Sequence, residues 1–197
     1  MSWQSIAVLA AAIVIGYFIG AVNPAALVAR VRGVDIHAEG SGNPGATNTG
    51  RVLGVRFGVL VGALDVLKGF LPALSFHLIF GELAGAIAGL AAVVGHVTSP
   101  YLRGRGGKGA ATSIGAILGV QPWLALPTLL GFAIVVAITR TVGIGAIAGA
   151  VALLFSGIVC LFLGFVVTGW FAVVLAVIVL ARHWTNVRRA IRKSTGS

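Results

Sequence analysis

Seven apolar stretches dominate this chain, at residues 6–28, 57–80, 83–99, 110–120, 123–139, 142–163 and 165–181. Six of them are close to the ~20 residues that a helix needs to cross a hydrocarbon core. A backbone inside lipid must satisfy its own hydrogen bonds, so apolar stretches of this length specify helices. The expected fold is therefore all-α: a polytopic integral membrane protein, a seven-transmembrane-helix bundle read as a single domain over residues 1–197. The stretch at 110–120 is too short to span as a straight helix alone and needs part of the loop before it. Composition agrees with this reading. The chain is 58% hydrophobic and 9% charged, with a mean hydropathy of +1.07, against about 25% charged residues in a soluble domain. The first stretch lacks a basic segment before it and reads as an uncleaved first span.

The net charge of +10 comes from 14 basic residues against four acids. In a soluble protein it would suggest nucleic acid. Here the charges sit at the ends of apolar stretches, as topology signals and contacts to anionic lipid do, and no nucleic-acid partner is expected. Seven crossings place 13 of the 14 basic residues on one side, in segments 29–56, 100–109, 140–141 and 182–197. The opposite segments (1–5, 81–82, 121–122 and 164) contain none. The positive-inside rule then puts the C-terminus and all long polar segments in the cytoplasm and the N-terminus outside, in a bacterial plasma membrane.

The fourteenth, Lys68, lies inside the second stretch three residues after Asp65. The i,i+3 spacing puts both on one helix face, and a structural ion pair is the favoured reading. Glycines at small-xxx-small spacing (Gly81, Gly85 and Gly89; Gly143 and Gly145 with Gly149) read as helix-packing positions. Cys160 lies alone in an apolar stretch, which rules out an intramolecular disulfide.

Three polar segments share the basic side. The first contains Gly40-Ser41-Gly42-Asn43-Pro44-Gly45-Ala46-Thr47-Asn48, followed by Arg51. Its glycines free the backbone to expose N–H groups, its hydroxyls and amides add neutral donors, and Arg51 offers a fork suited to phosphate. The second runs from Gly95-His96 to Tyr101 and then Gly104-Arg105-Gly106-Gly107-Lys108-Gly109-Ala110-Ala111-Thr112. A glycine-rich turn entering a helix is an anion site, and Lys108 adds a full charge there. The literal G-x-G-x-x-G at 104–109 has no βαβ unit around it. A nucleotide-hydrolase loop would need Gly at Leu102 and Ser or Thr at Gly109. Phosphate binding without nucleotide specificity remains. The third segment is the basic tail, with His183, Asn186 and Arg189; His183 and Asn186 share a helix face. His37 and His77 read as solvated and structural respectively. No His/Cys/carboxylate pattern suggests a metal, and no cofactor is expected.

These three segments, in this order, resemble the bacterial membrane-embedded acylphosphate-dependent glycerol-3-phosphate acyltransferases. The matching stretches are Gly40–Asn48 with Arg51, Gly95–Thr112 and His183–Arg189, framed by Gly16–Pro24 and Leu64–Gly69. The tail departs from the family pattern, with Trp184 where Arg is usual and no terminal glutamate. The resemblance implies seven helices and a cytoplasmic active site. It also implies transfer of a fatty acyl group from acyl phosphate to the 1-hydroxyl of glycerol 3-phosphate, giving lysophosphatidic acid. The partners are then the two substrates and membrane lipid, with a monomer expected. In that scheme Ser41, Asn43, Thr47, His96 and Asn186 do the catalytic positioning, and the amides of Ser41–Gly45 stabilise the oxyanion. Gly42, Gly45, Arg51, Gly106, Gly107, Lys108 and Gly109 hold phosphate. Asn48, Asp65, Lys68, Thr112, His183 and Arg189 support them. Two other classes stay open: a transporter of phosphorylated solutes, and a non-catalytic phospholipid-binding paralogue.

Overall fold

The computed structural model describes residues 2–195, and the side chains of residues 2–184. Every regular element among the described residues is helical. The chain falls into two compact units, Met1–Val120 and Gln121–Ser197.

In the first unit, α1 (Trp3–Ala21) and α2 (Pro24–Val31) together occupy the first apolar stretch. The break between them follows from sequence. Asn23 has extended backbone and its Oδ1 accepts from Ala26 N–H at 2.8 Å, while Pro24 takes the first helical position. A side-chain cap followed by a residue without an N–H restarts a helix at low cost. Next come α3 (Ala46–Leu53), α4 (Val55–Phe80), α5 (Glu82–Val97), a 3-10 turn (Pro100–Leu102) and α6 (Ala110–Val120). In the second unit a 3-10 turn (Pro122–Leu124) leads into α7 (Ala125–Thr139), α8 (Val142–Phe162) and α9 (Val166–Thr195).

Among the described residues, six helical segments are long and apolar enough to cross a membrane: Trp3–Val31, Val55–Phe80, Glu82–Leu102, Pro122–Thr139, Val142–Phe162 and Val166–Trp184. The remaining apolar helix, α6, has 11 residues, about 16 Å at the helical rise. It is the short fourth stretch of the sequence. Large apolar side chains cover the outer surfaces, with Leu78, Ile138 and Phe162 exposed by 73%, 76% and 87%. In water such a surface would drive aggregation, whereas against lipid it is matched to its solvent. The protein is a multi-pass membrane protein.

Packing relies on small residues. In the first unit α4 lies against both α5 and α6, and α1 lies along α5. Gly16 and Gly20 of α1 meet Ala88 and Ala92 of α5, and Gly69 of α4 meets the Thr112 carbonyl of α6. In the second unit Gly145 and Gly149 of α8 pack against Phe132 and Thr128 of α7. Lipid gives no hydrophobic drive for helices to associate, so close backbone contact supplies the dispersion energy. Gly81 departs from the packing expectation. It caps α4 at φ +89 with nothing near its Cα hydrogens, so it is a turn residue whose left-handed backbone favours glycine.

Candidate active site

The first polar segment is a structured loop closed by one side chain. Asn48 is 1% exposed. Its Oδ1 accepts from Ser41 N–H at 2.7 Å, and its Nδ2 donates to Glu39 O at 3.0 Å and Ile36 O at 3.3 Å. Gly40, at φ +60, sits where a Cβ would strike the Asn48 amide. Thr49 Oγ1 donates to Gly45 O at 3.1 Å, tightening the first turn of α3. That helix was not expected from the sequence. It carries Thr47, Asn48 and Arg51, and the i,i+4 spacing puts exposed Thr47 and Arg51 on one face.

Three of the amides of Ser41–Gly45, expected to face a substrate, are held within the loop. Ser41 N–H is held by Asn48, Gly42 N–H by Glu39 O at 3.0 Å, and Gly45 N–H by Asn43 O at 2.9 Å. Pro44 has no N–H. Short loops satisfy their own donors first, because an unpaired peptide group is costly. The groups that remain to face a ligand include the half-buried side chains of Ser41 and Asn43 and the N-terminal amides of α3, which have no intrahelical acceptors.

The second polar segment enters α6 through Gly106, Gly107, half-buried Lys108 and Gly109. Gly109 takes φ +85, and its carbonyl accepts from Ser113 N–H at 2.8 Å, which starts the helix. Gly107 N–H donates to His96 O at 3.1 Å. A Cβ on Gly106 would strike that same carbonyl, and one on Gly107 would strike the His96 ring at Nε2. Glycine is needed here for close approach. Thr112, fully buried in the first turn of α6, has a hydroxyl without a hydrogen-bond partner among the described residues.

A buried polar group joins the two segments. Lys68 Nζ lies 2.9 Å from Asp65 Oδ1, and His96 Nδ1 lies 3.4 Å from the same oxygen. All three residues are buried. Lys68 Nζ also donates to Val22 O at 2.7 Å, and Ser99 Oγ donates to Ala21 O at 2.6 Å. The end of α1 leaves carbonyls without intrahelical donors, and these two side chains satisfy them. One residue further on, Asn23 Nδ2 donates to Pro44 O at 3.0 Å. Contacts therefore run from Pro44 in the first loop through Asn23 and Val22 to Lys68, Asp65, His96 and Gly107 in the second. The favoured reading of Asp65 and Lys68 as an ion pair matches their geometry, but it missed two partners, Val22 and His96, and the neighbouring Asn23 link to the first loop. The Asn23-Pro24 dipeptide inside an apolar stretch was the available signal. Ser99 offered none.

His37 is half-buried, with its backbone N–H donating to Asp35 Oδ1 at 2.9 Å. His183 belongs to the second unit, is 4% exposed, and its Nδ1 lies 2.8 Å from Val179 O within α9. The side chains of Asn186 and Arg189 lie outside the described residues.

The chain has counterparts among known proteins. The sequence profile of the glycerol-3-phosphate acyltransferase family matches residues 10–193. Similar proteins named glycerol-3-phosphate acyltransferase include one from Geobacter sulfurreducens, 41% identical over 186 residues and covering 92% of each chain. Another, from Thermoanaerobacter sp. strain X514, is 38% identical over 179 residues, covering 90% of this chain and 89% of that one. The crystal structure of PlsY, an integral membrane glycerol 3-phosphate acyltransferase, is similar in its glycerol 3-phosphate form. The TM-score is 0.87 at 32% identity, covering 94% of this chain and 92% of that one. Its lysophosphatidic acid form gives 0.84 at 34% identity, with the same coverage. The chain belongs to the glycerol-3-phosphate acyltransferase family and is an acyltransferase.

Proposed function

We propose that this protein transfers a fatty acyl group from acyl phosphate to the 1-hydroxyl of glycerol 3-phosphate, releasing lysophosphatidic acid and inorganic phosphate. The observation that carries the reading is a pairing within the first unit. Two turns each deliver a helix N-terminus, and each has a cation on or next to its helix: Arg51 in the last turn of α3, on the face of exposed Thr47, and Lys108 just before α6; both turns are tied to one buried polar group. Both substrates carry phosphate, and helix N-termini together with cations suit two such anions.

In the reaction, the glycerol hydroxyl oxygen attacks the acyl carbonyl. The new ester C–O bond forms, the bond from carbonyl carbon to phosphate oxygen breaks, and phosphate leaves with the bonding pair. The hydroxyl proton passes to a phosphate oxygen of the substrates. Acyl phosphate is already activated, so alignment of the hydroxyl supplies much of the rate. Ser41, Asn43 and Thr47 face the carbonyl. Arg51, Lys108 and the α6 N-terminus hold phosphate, and His96 sets the turn around Gly107. The acyl chain enters from the bilayer, in keeping with the apolar outer faces of the helices.

The chain acts as one acyltransferase domain in a bacterial plasma membrane. It has seven crossings, its N-terminus outside, its C-terminus and active site at the cytoplasmic face, and works as a monomer. The distribution of basic residues supports that orientation. The donor is tested in proteoliposomes by offering palmitoyl phosphate or palmitoyl-CoA with glycerol 3-phosphate and following lysophosphatidic acid by mass spectrometry. Product from palmitoyl phosphate alone is expected. Turnover with palmitoyl-CoA and none with palmitoyl phosphate would overturn the donor assignment.

A further inference from the structure

We infer that Asp65 and Lys68 are positioning residues for acyl transfer, with the Asp65 carboxylate beside His96 Nδ1 favouring the proton on that nitrogen so that Nε2 faces the Gly106–Lys108 turn. The inference rests on the acyltransferase reading and deepens it. Three features point the same way. First, the pair is not self-contained. Lys68 spends a hydrogen bond on Val22 O, at the break between α1 and α2, although Asp65 alone would satisfy its charge. Second, His96 Nδ1 lies 3.4 Å from the Asp65 oxygen that Lys68 also contacts, within reach of its charge though not aligned as a hydrogen bond, while the opposite edge of the ring lies against Gly107. The direction the ring faces therefore decides what the turn meets. Third, the residue after Val22 is Asn23, whose side chain holds Pro44 O of the first loop. One buried pair thus grips both segments that surround the substrates.

A carboxylate on one ring nitrogen selects the tautomer and leaves the other nitrogen bare, and imidazoles commonly have their orientation fixed in this way. A bare Nε2 gives the turn an acceptor. A protonated Nε2 would instead direct a donor at a segment already rich in N–H groups, and the turn would shift. A displacement of about 1 Å in a site that works by alignment costs on the order of 100-fold in rate.

The test separates positioning from simple charge neutralisation. Replacing a buried ion pair by apolar residues of similar volume is often neutral for folding. The double variant Asp65→Leu/Lys68→Met should therefore remain monodisperse in lipid nanodiscs. With palmitoyl phosphate and glycerol 3-phosphate, its kcat should fall roughly 10- to 100-fold while KM for glycerol 3-phosphate stays within about threefold, because Arg51 and Lys108 remain. In histidine-selective nitrogen-15 spectra, the His96 signal is assigned by its loss in His96→Gln. The wild type should show Nδ1 protonated and Nε2 bare, and the double variant should show a tautomer mixture. A wild-type ring bare at Nδ1, or protonated at both nitrogens, would overturn the inference even if the variant does not fold. A folded double variant with kcat within about threefold of wild type would overturn it too. A wild type without turnover would sink the acyltransferase reading instead, and the ring spectrum would still decide the Asp65–His96 arm.

Discussion

Replacing Asn48 by alanine removes the side chain that closes the first loop, and the consequence can be worked from its three hydrogen bonds. Two are of good length, from Ser41 N–H at 2.7 Å and to Glu39 O at 3.0 Å; the bond to Ile36 O, at 3.3 Å, is weak. At about 1 kcal/mol net for each good bond, the closed loop loses about 2 kcal/mol relative to open forms. That corresponds to about a 30-fold smaller closed population where open forms compete, and kcat/KM should fall with it. Asn48→Asp should be worse than alanine. It keeps the acceptor for Ser41 but turns an oxygen toward two carbonyls that need donors. The assays are initial rates of phosphate release in nanodiscs and hydrogen exchange at the Ser41 amide, which should lose its protection. A kcat/KM within about threefold of wild type, with Ser41 still protected, would refute the reasoning.

Gly107→Ala should leave the helices folded and nearly abolish activity, because the added methyl group must displace the His96 ring or the turn. Overpacking of this kind costs about 1–3 kcal/mol, and activity at wild-type level would contradict the close approach. The proposed orientation predicts labelling of single cysteines in intact cells by an impermeant maleimide, in a background with Cys160 replaced. Glu82→Cys should react from outside and Arg103→Cys only after lysis; the reverse pattern would invert the topology.

The membrane-length helices could be read from the spacing of apolar stretches, which reflects the cost of polar groups in lipid. Local breaks were harder. The first stretch divides at Asn23-Pro24 because a cap and a proline override an apolar run. The α3 helix was hidden because Ala46-Thr47-Asn48-Thr49-Gly50-Arg51 has weak helix propensity and little apolar content. Its support comes from Asn48, from Thr49 and from close approach of Gly50 to Gly58 of α4. At the site, residue types and loop positions were legible because glycine, hydroxyl and cation chemistry is local. The direction of the N–H groups was not. Whether the amides of Ser41, Gly42 and Gly45 face a ligand or their own loop depends on Asn48, Glu39 and Asn43 being folded back onto them. The i,i+3 spacing disclosed the Asp65–Lys68 pair, but its contacts with Val22 and His96 arise from packing between helices distant in sequence.

The central claim is that two phosphate-bearing substrates meet on a site whose principal cation is Lys108. Its most direct test is phosphate release by purified protein in lipid with palmitoyl phosphate and glycerol 3-phosphate, beside Lys108→Ala. The account predicts release that requires both substrates, is matched by lysophosphatidic acid, and falls by at least about 100-fold in kcat/KM in the variant, the scale of removing one charged contact to a transferring group. Release from folded wild-type protein without glycerol 3-phosphate, or a Lys108→Ala variant as active as wild type, would contradict it.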